Sequence, residues 1–446
     1  MKKKIAFISE HASPLATLGG VDSGGQNVYV AELPKHLVEL GYEIDIFTRK
    51  ECLGDIIVNW LPGIRVIHIK AGPESVIAKE EILCFMDEFS SSMAAFINEN
   101  QLCYELIHAN FFMSALVASN LKKQFHIPYT VTFHALGLVR QIHQKEADKF
   151  PANRIFIEKE IVKDADYVIA ECPQDKEDLI QHYGADVDKI TIIPCGFSKE
   201  EFYPIEKMAA RKILNLPQHE KILLQLGRMV PRKGVDNVIK AIAKIKSSIE
   251  SVHLIIVGGD ADTPDPKLTP EIARLFDIAK KANVQTKITF AGRKTRDVLK
   301  YYYAAADLFI TTPWYEPFGI TPLESMACGT PVIGANVGGI KYSVADGTTG
   351  FLVPPNNPEA LAETIEQALS CSQTLTLMGK ACIHRVNKLF TWKQVALCCD
   401  ALYKKMIVPR NNGKLLLTGF VNNDYFALRA KEPMVHEPLF ATFASD

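Results

Sequence analysis

The chain contains no run of about eighteen apolar residues, so no bilayer-spanning helix is expected. The first apolar run, Ile5–Ile8, follows Lys2–Lys4 but is closed by Ser9, Glu10 and His11. It reads as a first buried strand, not as the apolar region of a leader peptide. Charge of either sign is not in excess: 50 Lys and Arg face 51 Asp and Glu, for a formal net charge of -1. Nothing electrostatic therefore marks nucleic acid as the main partner. The 10 cysteines are scattered, without a C-x-x-C pair, and Cys398 and Cys399 are neighbours, an awkward geometry for a mutual disulfide. Reduced thiols in a cytoplasmic protein are the expectation. Neither a Walker A loop nor a G-x-G-x-x-G fingerprint occurs. No metal site and no cofactor are assigned, and peripheral membrane association and oligomeric state stay open.

What is present is enough apolar material, 48% of 446 residues, for two or three domains. Short β-branched runs alternate with longer helical periodicity, twice over. The first series of strands is Ile5–Ser9, Glu43–Thr48, Arg65–Ile69, Glu105–Ala109, Tyr129–His134, Tyr167–Glu171 and Ile190–Pro194. The second is Ile222–Gly227, His253–Gly258, Ile288–Ala291, Leu308–Thr312, Pro331–Gly334 and Phe351–Val353. Strands that are apolar almost throughout and separated by helices indicate parallel sheets covered on both faces. The fold class is α/β, with two Rossmann-like, doubly wound parallel-sheet domains facing a central cleft. The expected domains are 1–204, 205–390 and a closing helix with tail, 391–446, packing back on the first domain. Pro34 inside the helical stretch Gln26–Leu40 predicts a kink or a late helix start.

Ligands of such sheets bind beyond the carboxyl ends of the strands, so the loops there hold the candidates. Gly19-Gly20-Val21-Asp22-Ser23-Gly24-Gly25-Gln26 joins the first strand to a helix, where backbone N–H groups can meet an anion. A flexible turn without ligand is an equal reading. His134 closes a predicted strand and can bond a sugar hydroxyl or present its backbone carbonyl; alone, a satisfied core histidine is the commoner outcome. Arg228 and Lys233, in Gly227–Gly234, can together stabilise a leaving diphosphate, the task a divalent metal performs elsewhere. Arg232 reads as the solvated member of that turn. In Glu316-Pro317-Phe318-Gly319-Ile320-Thr321-Pro322-Leu323-Glu324 the proline and glycine place Glu316 before a helix and Glu324 within it. Backbone N–H groups of Phe318, Gly319, Ile320 and Thr321 then face a phosphate.

Taken together, the Glu316–Glu324 segment, Gly227-Arg228 with Lys233-Gly234, Ser325–Ile333 and Val337-Gly338-Gly339-Ile340 resemble the retaining family 4 glycosyltransferases of GT-B fold. The resemblance runs from Ile5 to about Met406. It implies an enzyme that moves a hexosyl group from a nucleotide-diphosphate sugar, with a UDP-sugar favoured, to a small acceptor without a metal. Glu316 would hold sugar hydroxyls, Glu324 the ribose, Arg228 and Lys233 the diphosphate, and His134 the donor sugar near the reacting carbon. Gly24 and Gly25 would let donor and acceptor approach, and domain closure would exclude water. Asp22–Gln26 and His134–Gly137 are similar to sucrose-phosphate synthases, mannosylfructose-phosphate synthases and inositol-phosphate N-acetylglucosaminyltransferases, which use phosphorylated acceptors. Lys79, Arg154 and Asn110 are implied on the acceptor side. Phe111, Ala135 and Lys341-Tyr342 depart from the tyrosine, threonine and Pro-Glu expected there. A lipid or polysaccharide acceptor, or a non-catalytic nucleotide-sugar binder, are the alternatives.

Overall fold

The computed structural model describes residues 3–16, 24–246 and 251–407. The glycine-loop residues Gly19–Ser23 and the tail 408–446 lie outside the described residues. Two compact units emerge. Among the described residues, one comprises those up to Cys195 and those from Trp392 on; the other comprises those of Gly196–Thr391.

The first unit contains β1 (Lys3–Ile8), β2 (Tyr42–Arg49), β3 (Ile57–Leu61), β4 (Ile64–Ile69), β5 (Leu106–Asn110), β6 (Tyr129–Thr132), β7 (Tyr167–Ala170) and β8 (Ile190–Ile192). Their order is β3-β4-β2-β1-β5-β6-β7-β8. The second contains β9 (Lys221–Leu226), β10 (Val252–Val257), β11 (Ile288–Gly292), β12 (Leu308–Thr311), β13 (Val332–Ala335) and β14 (Gly350–Val353), in the order β11-β10-β9-β12-β13-β14. Strands β1, β5 and β9 are buried along most of their length, as parallel strands sandwiched by helices must be. Strand order reverses between β1 and β5 and again between β9 and β12. Each reversal opens a crevice at the carboxyl ends of those strands.

One strand departs from the parallel pattern. β3 pairs antiparallel with β4 across the two-residue connection Pro62-Gly63. It is an edge strand with every residue partly or fully exposed, so it lacks the continuous apolar run that marks the others. Helix Gly25–Glu39 starts at Gly25 and runs through Pro34, so the late start does not occur. Burial of Val28, Tyr29, Val30, Leu33 and Leu37 on that helix offsets the roughly 3 kcal/mol an interior proline costs.

The division between units falls at Cys195/Gly196, earlier than 204/205. Phe197 bridges to Thr391 and Phe202 packs against Tyr303, which commits the segment after β8 to the second unit. Helix Trp392–Met406 returns to the first unit. There Trp392 meets Tyr29 edge-on, the Tyr42 hydroxyl donates to Asp400 at 2.8 Å, and Tyr403 reaches His108 at 2.6 Å. All ten cysteines are free. No helix among the described residues is long and apolar enough to cross a membrane.

On β2, Asp45 is 1% exposed and ties three strands and the segment before β5 together. It accepts two bonds of 2.7 Å from Arg65 and one of 2.6 Å from Tyr104, with Lys4 at 3.4 Å. Burial pushes its carboxyl up, but Arg65, Tyr104 and Lys4 outweigh burial and hold it below the usual range. Its folded pKa therefore lies below the unfolded one. The stabilisation is full above about pH 4 and is lost as pH falls through the lowered folded value. Asp45→Asn should cost about 1–3 kcal/mol at pH 7. Urea unfolding at pH 7 and pH 3 checks this: the gap between variant and wild type should shrink at the lower pH.

Candidate functional site

Each crevice gathers its own set of side chains. At the first, Ser9, Glu10 and His11 follow β1, Asn110 and Phe111 end β5, His134 follows β6 and Glu171 follows β7. His134 lies beyond the end of its strand in a left-handed conformation, φ 58, and Phe111 has φ 84. Non-glycine residues hold such angles only where their surroundings fix them, and here they do. The His134 ring sits 2.9 Å from Glu171 Oε1 and 3.1 Å from Asn110 Oδ1, edge-on to Tyr29. The Phe111 backbone N–H donates to Thr132 O at 2.8 Å, and its ring packs on His11, Phe112, Phe150 and the Arg154 guanidinium.

Glu10, fully buried, accepts from Ser114 Oγ and contacts His11 Nδ1 at 2.7 Å. This leaves His11 Nε2 as the outer edge of the ring. Sequence reasoning used Glu10 and His11 only to end a strand. The polar triplet directly after the first buried strand was the available signal. Glu171 carried no such signal, because only the sheet brings the ends of β6 and β7 together.

The acceptor-side candidates are not equivalent. Asn110 is fully buried, with Nδ2 donating to Ile8 O and His108 O and Oδ1 facing His134, so its side chain positions the histidine. Arg154, 2% exposed, is caged by Phe111, Phe112 and Phe150. Its Nε donates to Glu158 at 2.7 Å and its Nη2 to Ala135 O at 2.5 Å. Glu158 in turn receives the Gly137 N–H. The pair thus fixes the loop after His134, and Nη1 is the donor left without a hydrogen-bond partner among the described residues. Lys79, half-buried, opens the short turn Lys79–Phe85. Gly24 caps helix Gly25–Glu39 with an extended backbone, and the space where a side chain would stand is open. Gln26, one residue on, donates to Ser9 Oγ and Asn110 O at 3.2 Å each.

In the second unit, Arg228 and the turn Pro231–Lys233 follow β9, and Glu316 follows β12. Lys233 Nζ donates to Glu316 Oε2, and Arg232 stands 3.7 Å from the same oxygen. Arg232 is therefore not the solvated member of its turn. Its guanidinium lies over the Tyr315 ring and its carbonyl accepts the Trp314 N–H, which folds the side chain inward. Burial pushes the Glu316 carboxyl up, yet Lys233, Arg232 and Arg228 outweigh it and hold it below its ordinary value. Burial likewise lowers the Lys233 ammonium, opposed by Glu316.

Glu324 lies in helix Ile320–Ala327, 3% exposed. Its two oxygens accept from Arg296 Nη1 and the Tyr303 hydroxyl, each at 2.9 Å. Arg296 also binds Glu201 at 2.6 Å. Neither Arg296 nor Tyr303 stood out in the sequence. Each carboxylate oxygen keeps capacity for a further hydroxyl donor. Phe318 is buried against Phe390, while Gly319, Ile320 and Thr321 bring the helix N-terminus beside Glu316. Gly338 and Gly339 make the close approach: a Cβ on Gly338 would fall 1.9 Å from Glu316 O, and one on Gly339 2.3 Å from Phe318 Cα.

Comparison with known proteins follows this division. Residues 206–385 match the family model described as glycosyl transferases group 1, and residues 23–201 match glycosyltransferase family 4. The D-inositol 3-phosphate glycosyltransferase of Corynebacterium glutamicum (strain R) is 33% identical over 417 residues, 92% of this chain and 98% of that protein. The solved sucrose-phosphate synthase of Thermosynechococcus elongatus superposes with a TM-score of 0.83 at 35% identity, covering 91% of this chain and 99% of that one. Anabaena HepE, solved with UDP and glucose, shares the fold, with a TM-score of 0.70 at 19% identity over 90% of this chain and 100% of that one.

Gly338→Ala, with φ 44 and that 1.9 Å overlap, should displace Glu316 and cost about 1–3 kcal/mol. Gly347→Ala is the control, having positive φ but open space. Only Gly338→Ala should weaken nucleotide-sugar binding in calorimetry.

Proposed function

The chain belongs to glycosyltransferase family 4 and is a GT-B glycosyltransferase; on that premise we propose that it moves a hexosyl group from a UDP-sugar to a small phosphorylated sugar or polyol, with retention and without a metal. The observation that carries the reading is Glu316 set among Lys233, Arg232 and Arg228 in one crevice. The acceptor class rests on the two relatives above 30% identity described here, both named for phosphorylated products or acceptors.

Lys233 is bound to Glu316. An arriving diphosphate competes for that ammonium and finds Arg228 in the same loop region, a bidentate donor beside a point charge. Glu316, kept anionic by its cationic surroundings, is then released to accept hydrogen bonds from sugar hydroxyls. Glu324, its carboxylate oriented by Arg296 and Tyr303, takes the ribose hydroxyls. The two cations stabilise charge that grows on the diphosphate as the glycosidic bond breaks, so they act most strongly in the transition state. The acceptor hydroxyl attacks from the face the diphosphate leaves, and a leaving phosphate oxygen takes its proton. Configuration at the anomeric carbon is thereby retained without a protein nucleophile. On the acceptor side, Lys79 supplies positive charge for a phosphate, while Arg154, paired with Glu158 and bonded to Ala135 O, fixes the loop after His134.

Nucleotide release should depend on one UDP-sugar together with a phosphorylated acceptor, and should survive EDTA. A panel of UDP-, GDP- and ADP-sugars against sugar phosphates, inositol phosphate, plain sugars and lipid acceptors reads this out. NMR of the product reports retention. Arg228→Ala should lose on the order of 10²-fold in turnover while staying folded. Full turnover in that variant, or activity abolished by EDTA and restored by a divalent cation, would refute the mechanism.

A further inference from the structure

The ring of His134 is committed on both sides. Nδ1 lies 2.9 Å from Glu171 Oε1 and Nε2 lies 3.1 Å from Asn110 Oδ1. The orientation of the Asn110 amide is settled by its other end, since Nδ2 donates to the carbonyls of Ile8 and His108, both at 3.3 Å. Oδ1 is then an acceptor, and the Nε2–H must supply the proton. Glu171 Oε1 is an acceptor too, because it also receives the Cys195 thiol at 3.0 Å. An imidazole that donates from both nitrogens carries two protons.

The neighbours are consistent with a single cation here. His108, fully buried between the hydroxyls of Tyr403 and Thr132, is pulled down to about 3 by burial and by His134 beside it. Asp175, which receives the Glu171 backbone N–H, is pushed up to about 8 by burial and by Glu171. Cys172, Cys195 and Tyr29, the other titratable groups around Glu171, are all raised, by burial first. They stay neutral beside it.

We propose that Glu171 is a positioning residue of the transfer site, holding the His134 ring as a doubly donating imidazolium and with it the left-handed backbone that turns the chain out of β6. The inference rests on the reading of His134 as part of the transfer site. With both ring nitrogens engaged, His134 meets substrate through its main chain. The carboxylate on the next strand end fixes where that main chain stands. Glu171→Gln keeps the shape and removes the charge. Glu171→Asp keeps the charge at shorter reach.

The test is NMR of protein labelled with ¹⁵N-histidine, with His134→Gln used for assignment, alongside steady-state kinetics and UDP calorimetry. In the wild type both His134 ring nitrogens should bear protons; in Glu171→Gln the ring should carry one. Turnover in Glu171→Gln should fall about tenfold or more, by analogy with losing the outer partner of a metal-bound histidine. UDP affinity should stay within about twofold, as its ligands lie on the other unit, and Glu171→Asp should recover part of the turnover. A singly protonated His134 ring in the wild type overturns the inference. So does wild-type turnover in Glu171→Gln while His134→Gln is impaired, and in that case the transfer reading stands. Wild-type turnover in His134→Gln instead removes His134 from the reaction and defeats the reading beneath.

Discussion

A carboxylate shielded from water must find cations or give up its charge, and the Glu316 side chain is only 12% exposed where β12 gives way to a helix. The second unit is arranged around that demand. The loop after β9 delivers Arg228, Arg232 and Lys233, and a double glycine after β13 lets the backbone close against Glu316 and Phe318. In the proposed function, the cations that make this shielding of Glu316 tolerable are also those that meet the diphosphate. On that proposal, stability of the site and affinity for the donor draw on one set of charges. On the same proposal, the Lys233–Glu316 bond is the internal contact that a donor replaces.

The first unit solves a different problem, that of holding its backbone in place. Its crevice is lined by backbone in unusual conformations, at Phe111 and His134, and such conformations persist only when over-determined. Aromatic packing from Tyr29 and Phe112, the Asn110 amide and the Glu171 carboxylate supply that determination. Helix Trp392–Met406, last of the described helices, belongs to this support, because Trp392 backs Tyr29 and Tyr403 holds His108. A segment from the far end of the chain thus stabilises the histidine near its beginning.

Sequence alone determined the two α/β units, since continuous apolar strands between amphipathic helices have few other solutions. It also determined where to look, because loops at strand ends carry the ligands of such sheets. Glu316, Glu324, Arg228 and Lys233 stood out because glycine and proline punctuation around them is local, and local chemistry is legible in one dimension. The edge strand β3 escaped because a half-exposed strand has no apolar run, and the helix through Pro34 escaped because packing overrode propensity. The partners of the site residues were set only by the tertiary structure. Arg232 turning inward onto Tyr315, Arg154 sealed beneath Ala135, Arg296 and Tyr303 holding Glu324, and Glu171 reaching His134 all join residues distant in sequence. Such pairings depend on which strands lie side by side, and strand order is a property of the assembled sheet.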